Sequence, residues 1–213
     1  MAKPRLLLAD DHTLVVEAFT RLLEDEFEII GVVMDGISLL KQAPALKPDV
    51  VILDLGMPLL NGMHAGRELK KILPSTKIVV LTMSEDFELA AEALRHWASA
   101  YLLKKSAARE LVKAIHEVLA HRTYVTPRIA QHVIDAFVRD PRIDHKPHLT
   151  SQQRKVLQLL AEGNSMKQIA SVLNITARTV AYHKYHLMEE HGLKTNSDLV
   201  MFAIKERVLL PPP

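Results

Sequence analysis

Residues Val50-Val51-Ile52-Leu53-Asp54 carry the clearest indication of the fold class. Four apolar residues, three of them β-branched, end abruptly in a carboxylate, which is typical of a parallel strand covered on both faces. Similar short runs at 5–9, 28–33, 77–81 and 100–103 predict four more strands, and amphipathic stretches predict helices at about 13–25, 37–46, 62–72, 86–96 and 107–120. Five strand–helix units predict an α/β domain with a doubly wound, five-stranded parallel sheet.

The rest of the chain has a different pattern. Residues 122–147 contain a candidate helix that starts at Thr126-Pro127 and a polar segment with two prolines, which has the composition of a linker. Beyond it the sequence predicts only helices, and their openings lie near Thr150, Ser165, Thr176 and Ser197. We therefore predict a first domain at 1–121, a linker at 122–147 and a small, all-α, four-helix domain at 148–213.

Composition excludes several classes of protein. The chain of 213 residues has no cysteine, so disulfide scaffolds, thiolate metal sites and cysteine nucleophiles are ruled out. No apolar run approaches the roughly 18 residues of a membrane span, and we expect a soluble, cytoplasmic protein. Residues 1–121 carry 14 Lys and Arg against 17 Asp and Glu, whereas residues 122–213 carry 13 against 8. The basic second part is suited to a polyanionic partner.

Polar side chains follow the predicted strands at the points where the strands end. Asp10 and Asp11 follow the first strand, Asp54 ends the third, Thr82 follows the fourth and Lys104 follows the fifth. With strand order 2-1-3-4-5 these ends are neighbours, because strands 1, 3, 4 and 5 lie side by side. The functional edge of a doubly wound sheet lies at these carboxyl ends of its strands. Three carboxylates crowded together favour a hard divalent cation such as Mg²⁺. A hydroxyl and an ammonium beside them are suited to phosphoryl oxygens.

These positions also carry a resemblance. The chain resembles a two-component response regulator of the NarL/FixJ family, a flavodoxin-like receiver domain followed by a LuxR-type helix-turn-helix. The motifs that carry the resemblance are Leu8-Ala9-Asp10-Asp11-His12, Asp54-Leu55-Gly56-Met57-Pro58, Leu81-Thr82 and Tyr101-Leu102-Leu103-Lys104, together with residues 149–209. The chain departs from the family at Ala100, where Gly is common, and after Lys104, where many receivers have Pro.

The resemblance implies a role for each site residue. Asp54 is the implied phosphoacceptor. The implied Mg²⁺ ligands are Asp11, Asp54 and the backbone carbonyl of Gly56, with Asp10 acting through water. Thr82 and Lys104 are expected to hold the phosphoryl group, and Tyr101 is expected to turn inward when Thr82 moves. A plain role for Tyr101 as a half-buried strand aromatic is equally compatible with the sequence.

The helix predicted at 177–190 would be the reading helix of a helix-turn-helix, placed in the major groove of DNA. Val180, Leu187 and Met188 form its inward stripe. The residues expected to contact phosphates or bases are Lys167, Arg178, Thr179, Ala181, Tyr182, Lys184, Tyr185 and Lys194. A four-helix bundle for protein interaction is the alternative. The spacing of His183, His186 and His191 argues against a metal site, and we expect Trp97 in the core.

The sequence therefore predicts a DNA-binding transcriptional regulator that is not an enzyme. A histidine kinase would phosphorylate Asp54 with Mg²⁺, and this would switch homodimerisation and binding to inverted half-sites on DNA. Three alternatives remain: a regulator that acts without phosphorylation, an aspartyl-phosphate hydrolase, and a flavin or dinucleotide module. The hydrolases place a second acid two residues after the nucleophile, and here that residue is Gly56. The dinucleotide module needs a glycine-rich loop, and here Asp10-Asp11-His12-Thr13 follows the first strand.

Overall fold

The computed structural model describes residues 2–139 and 149–209, and these fall into two compact units, one built on a parallel sheet and one all-helical. The proline-containing segment of the predicted linker at 140–148 and the terminal prolines Pro211-Pro212-Pro213 lie outside the described residues. The predicted boundaries of the linker therefore stay a prediction.

The first unit is a parallel sheet with strand order β2-β1-β3-β4-β5-β6. Its strands are β1 (Arg5–Ala9), β2 (Glu28–Val33), β3 (Val50–Leu53), β4 (Lys77–Thr82), β5 (Ala100–Leu103) and β6 (Tyr124–Val125). Every residue of β3 and β5 is buried, as the continuous apolar runs predict. The doubly wound α/β class and the order of the first five strands are confirmed.

The prediction of five strands is wrong by one. β6 lies within the stretch that the sequence assigns to the linker, and it runs parallel to β5, with Ala100 opposite Tyr124 and Tyr101 opposite Val125. Two residues are too few for any periodicity, so the pattern of side chains does not reveal this strand. It forms because the edge of β5 offers unpaired backbone groups that Tyr124–Val125 can satisfy.

Helices cover the sheet at bounds close to those predicted. They are α1 (Thr13–Leu23), α2 (Gly36–Leu46), α3 (Gly62–Ile72), α4 (Phe87–His96), α5 (Ala107–Leu119) and α6 (Pro127–Arg139). Leu111 and Ile115 of α5 pack on the inner strands in a core with Leu8, Ile52 and Leu102. Trp97 is also buried, as predicted, against Gly66 of α3.

The second unit contains α7 (Ser151–Ala161), α8 (Met166–Leu173), α9 (Ala177–Glu190) and α10 (Asn196–Lys205). The capping boxes predicted at Thr150 and Ser165 are both formed, with Gln153 and Gln168 as reciprocal partners. α10 begins one residue before its predicted start, because Thr195 caps it. The inward stripe of α9 packs as predicted: Val180 lies against Val156 and Ile169, and Leu187 and Met188 against Leu157.

Candidate functional site

The carboxyl ends of β1, β3 and β5 bring three charged side chains into direct contact. Ala9 pairs with Leu53 in the sheet, so the next residues, Asp10 and Asp54, leave their strands side by side. Lys104 follows β5, and its Nζ lies 2.7 Å from Asp10 Oδ2 and 2.9 Å from Asp54 Oδ2. All three side chains are less than a tenth exposed. The strand-end cluster predicted from the sequence is therefore present around Asp54.

Thr82 lies at the end of the neighbouring strand β4. Its carbonyl accepts a hydrogen bond from the Lys104 N–H at 2.8 Å, and its Oγ1 accepts one from the Ser84 N–H at 3.1 Å. The hydroxyl of Tyr101 donates to the carbonyl of the same Ser84 at 3.4 Å, and Tyr101 is fully buried. Thr82 and Tyr101 therefore both hydrogen-bond to Ser84, a residue that no sequence motif indicates.

Four side chains at this edge of the sheet offer metal-ligating atoms within 4.8 Å of one another: Asp10, Asp11, His12 and Asp54. Asp11 Oδ1 is shielded from solvent and accepts no hydrogen bond, although His12 Nδ1 lies 3.0 Å away. A shielded carboxylate oxygen without a donor, beside two further carboxylates, fits the coordination that Mg²⁺ prefers. His12 is the addition to the predicted set, and only its position directly after Asp11 could have indicated it.

Gly56 lies next to the Asp54 carboxylate. Its backbone N–H hydrogen-bonds this carboxylate, and a Cβ added to Gly56 would lie 3.6 Å from Asp54 Oδ2. The loop after β3 therefore brings the Gly56 backbone close to the Asp54 carboxylate.

The outer face of α9 exposes several of the residues predicted to contact DNA. Tyr182 and Tyr185 are 64% and 59% exposed, Arg178 is exposed, and Lys184 Nζ donates to Asn196 Oδ1 at 2.8 Å. Lys167 and Lys194 are exposed on the preceding and following segments, and Ala181 is partly exposed. Thr179 is bound into the cap of the helix, where its hydroxyl contacts Thr176 Oγ1. The two tyrosines and Arg178 are thus accessible on α9, and Lys167 and Lys194 are accessible on the segments beside it.

Comparison with known proteins places both units in described families. Residues 6–116 match the response regulator receiver domain, and residues 147–203 match the bacterial regulatory proteins of the luxR family. The chain belongs to the NarL/FixJ type of two-component response regulators. As such, it is a DNA-binding transcriptional regulator under phosphorylation control.

Two of the relatives of this response regulator match nearly all of the chain, and a third matches about two thirds of it. The oxygen regulatory protein NreC of Staphylococcus carnosus is 32% identical over 214 residues, which cover 96% of this chain and 99% of NreC. The RcsB response regulator of Salmonella typhimurium is 25% identical, with a TM-score of 0.61 over 97% of this chain and 99% of that structure. A LuxR-family response regulator from Aurantimonas sp. is 31% identical over 64% of this chain and 99% of its own, with a TM-score of 0.61.

Burial and charge compete at the site of this response regulator. Burial raises the pKa of Asp54 above its ordinary value, and the Lys104 ammonium opposes that rise without cancelling it. Burial disfavours the charged form of Lys104, but the attraction and hydrogen bonds of Asp54 and Asp10 outweigh this and raise the pKa of Lys104. The charged form of Lys104 is therefore stabilised by its partners, whereas burial disfavours the charged form of Asp54.

The three histidines of α9 and its C-terminal end have separate surroundings. His186 pairs with Glu190 at 3.3 Å, and the ring of His191 packs on Phe202 at 4.4 Å between centroids. Burial and then His186 lower the pKa of His183. Within the described ranges, the only group of metal-ligating side chains is the one around Asp54, so these histidines do not form a second one.

None of the helices in the described ranges has the length and hydropathy to cross a bilayer.

Proposed function

We propose that Asp54 is the residue through which this response regulator is phosphorylated. The observation that carries the proposal is the contact of the Asp54 carboxylate with Lys104, at 2.9 Å, next to the other acidic oxygens of the site. A carboxylate oxygen of Asp54 attacks the phosphorus of a phosphohistidine on a histidine kinase. The O–P bond forms as the P–N bond breaks, and the imidazole that leaves keeps the electron pair and takes up a proton.

The residues that would hold Mg²⁺ are Asp11, Asp54 and the backbone carbonyl of Gly56, with Asp10 acting through a water molecule. The unsatisfied Oδ1 of Asp11 supports this assignment, because a cation would supply the partner that it lacks. When bound, the metal neutralises charge between the carboxylates and the phosphoryl oxygens. His12 would hold the Asp10 carboxylate in place, since its Nδ1 lies 3.1 Å from Asp10 Oδ1.

Lys104 and Thr82 would stabilise the product. The Lys104 ammonium already contacts Asp54 Oδ2 and would move towards an oxygen of a phosphoryl group attached there. Thr82 would exchange the hydrogen bond from Ser84 for one donated to the phosphoryl group. Tyr101, which shares Ser84 as a partner, would respond to that exchange.

The second unit would bind DNA through α9. RcsB, the structural relative, has been solved in a complex with DNA and as two dimers bound to two DNAs. By the same architecture, we infer that this chain dimerises on inverted half-sites in the cytoplasm and inserts α9 into the major groove. The exposed Arg178 and the partly exposed Lys184 are suited to phosphates, and Ala181, Tyr182 and Tyr185 to base edges.

The test is phosphorylation of the full chain by acetyl phosphate with Mg²⁺. We expect wild type to incorporate label, Asp54→Asn to incorporate none, and Asp25→Asn, at an exposed position in the turn after α1, to behave as wild type. Mobility shifts on genomic fragments should show a tighter complex only for proteins that take up label. Label on Asp54→Asn would contradict the proposal.

We also propose that the chain is not itself a phosphatase. An aspartyl-phosphate hydrolase needs a second acid two residues after its nucleophile, and Gly56 offers no carboxylate there. Incubation with a general phosphatase substrate such as p-nitrophenyl phosphate should release no more product for wild type than for Asp54→Asn.

A further inference from the structure

Thr126, the residue that follows β6, ties the stretch after α5 to the strand that carries Lys104. Its backbone N–H donates to the Tyr101 carbonyl at 3.0 Å, and its Oγ1 accepts from the Leu103 N–H at 3.2 Å. Thr126 is 2% exposed, so water does not compete for these bonds. Because Leu103 directly precedes Lys104, the Thr126 side chain holds the backbone next to the cation of the phosphorylation site.

The same hydroxyl also reaches α5. Thr126 Oγ1 donates to Glu110 Oε2 at 3.0 Å, and the phenol of Tyr124 donates to the same oxygen at 3.3 Å. Burial and then Glu110 raise the pKa of Tyr124, so its phenol keeps its proton and remains a donor at neutral pH. A threonine hydroxyl that accepts one bond and donates another connects β5 with α5 through a single atom.

α6 begins at Pro127, directly after this residue, and packs on α4 through Ile129 and Val133, which are 4% and 3% exposed. The rings of Phe87 and His132 stack at 5.7 Å. Phe87 lies in the segment that follows Thr82.

Glu85 makes a further connection between the same segments. It pairs with Arg128 of α6 and with Lys105, the neighbour of Lys104, each at 3.4 Å. α6 therefore contacts the segment that follows Thr82, and Glu85 of that segment also pairs with the residue after Lys104.

We propose that Thr126 is a positioning residue that couples the state of Asp54 to the attachment of α6. This inference rests on the proposed function of Asp54. Conversion of the Asp54 carboxylate to an acyl phosphate adds about one negative charge and draws the Lys104 ammonium away from Asp10. The backbone of Leu103 and Lys104 follows, the Leu103–Thr126 hydrogen bond weakens, and the start of α6 loses its anchor on β5. Phosphorylation thus loosens α6, and in return an anchored α6 favours the unphosphorylated site.

The experiment is hydrogen–deuterium exchange of the full chain, read in peptides that cover residues 124–139, before and after acetyl phosphate with Mg²⁺. In wild type, phosphorylation should speed exchange by about two- to tenfold, the range expected from the net loss of one hydrogen bond. Thr126→Val removes the hydroxyl but keeps the shape of the side chain. It should exchange fast already and respond little to phosphorylation. Thr126→Ser restores the oxygen and should restore the response.

A second variant guards against a folding defect in Thr126→Val. Glu110→Ala removes the same acceptor from a partly exposed position of α5, where alanine suits a helix, and should also raise the exchange of 124–139. If wild type takes up label but the exchange of 124–139 does not change, the coupling is wrong and the proposed function stands. If wild type takes up no label, the proposed function fails and this inference fails with it.

Discussion

At the level of single residues, burial and ion pairing have opposite effects on the pKa of Asp54. The carboxylate lies between the ammonium of Lys104 and the N–H of Gly56, yet desolvation dominates and its pKa is raised. The proposed phosphoacceptor is therefore held ionised at some cost to folding, which is common where a side chain serves chemistry instead of stability.

We predict that Asp54→Asn stabilises the metal-free protein at neutral pH. Because the folded-state pKa of Asp54 is raised, the protonated carboxyl stabilises the fold at low pH, and this contribution is lost as the pH rises through that pKa. Asparagine does not ionise, and Lys104 keeps Asp10 as its partner at 2.7 Å. Calorimetry in the presence of EDTA should show a Tm a few degrees higher for Asp54→Asn at neutral pH, with the advantage disappearing in acid.

The matched control is Asp25→Asn, an exposed change of the same chemistry, which should shift the Tm little at any pH. A constant difference between Asp54→Asn and wild type from about pH 4 to 8 would show that the ionisation of Asp54 is not the cause.

At the scale of elements, the start of α3 fixes the loop that carries Gly56. The Gly62 N–H donates to the Leu55 carbonyl at 3.0 Å, so the helix begins directly on the end of β3. A Cβ on Gly62 would overlap the carbonyl oxygen of Asp54 and lie 2.7 Å from the Leu55 Cα. Backbone atoms cannot move aside as a flexible side chain can, so glycine is required at this close approach.

We therefore predict that Gly62→Ala destabilises the protein by about 2–3 kcal/mol, at the upper end of what overpacking costs. Urea unfolding followed by circular dichroism measures the loss. Gly56→Ala is the matched control, because its Cβ would be 3.6 Å from Asp54 Oδ2, an ordinary contact, and it should cost much less. Equal losses for the two variants would contradict the role of the close approach.

At the scale of the whole molecule, charge is divided between two units with different tasks. The acidic part of the chain contains the Asp54 site. The more basic part exposes Arg178, Lys167 and Lys194 on the second unit. Because phosphate contacts release counterions, the strength of DNA binding should depend on salt in proportion to the number of basic contacts.

We predict that Arg178→Ala weakens binding to all DNA sequences to a similar extent. The slope of log affinity against log salt concentration should fall by about one for each phosphate contact that is lost. Fluorescence anisotropy on specific and random duplexes, across a salt series, measures both effects. Lys41→Ala, an exposed change on α2, is the control and should leave the slope unchanged. A loss for Arg178→Ala that is confined to one sequence would assign Arg178 to base reading.

The sequence predicted much of this protein because its signals are local. Apolar runs such as Val50–Leu53 indicate buried strands, and Ser165 with Gln168 forms a capping box within four residues. The strand-end residues Asp10, Asp54 and Lys104 could be grouped because parallel strands align their carboxyl ends whatever the details of packing.

Features that depend on residues distant in sequence are visible only in the folded chain. β6 forms because Tyr124–Val125 lies beside the open edge of β5. Ser84 is a shared hydrogen-bond partner of Thr82 and Tyr101. Thr126 meets Leu103 and Glu110 across 23 and 16 positions of the chain. Such contacts leave no periodic trace, since a hydrogen bond between remote backbones is set by how strands and helices pack and not by the order of side chains along either segment.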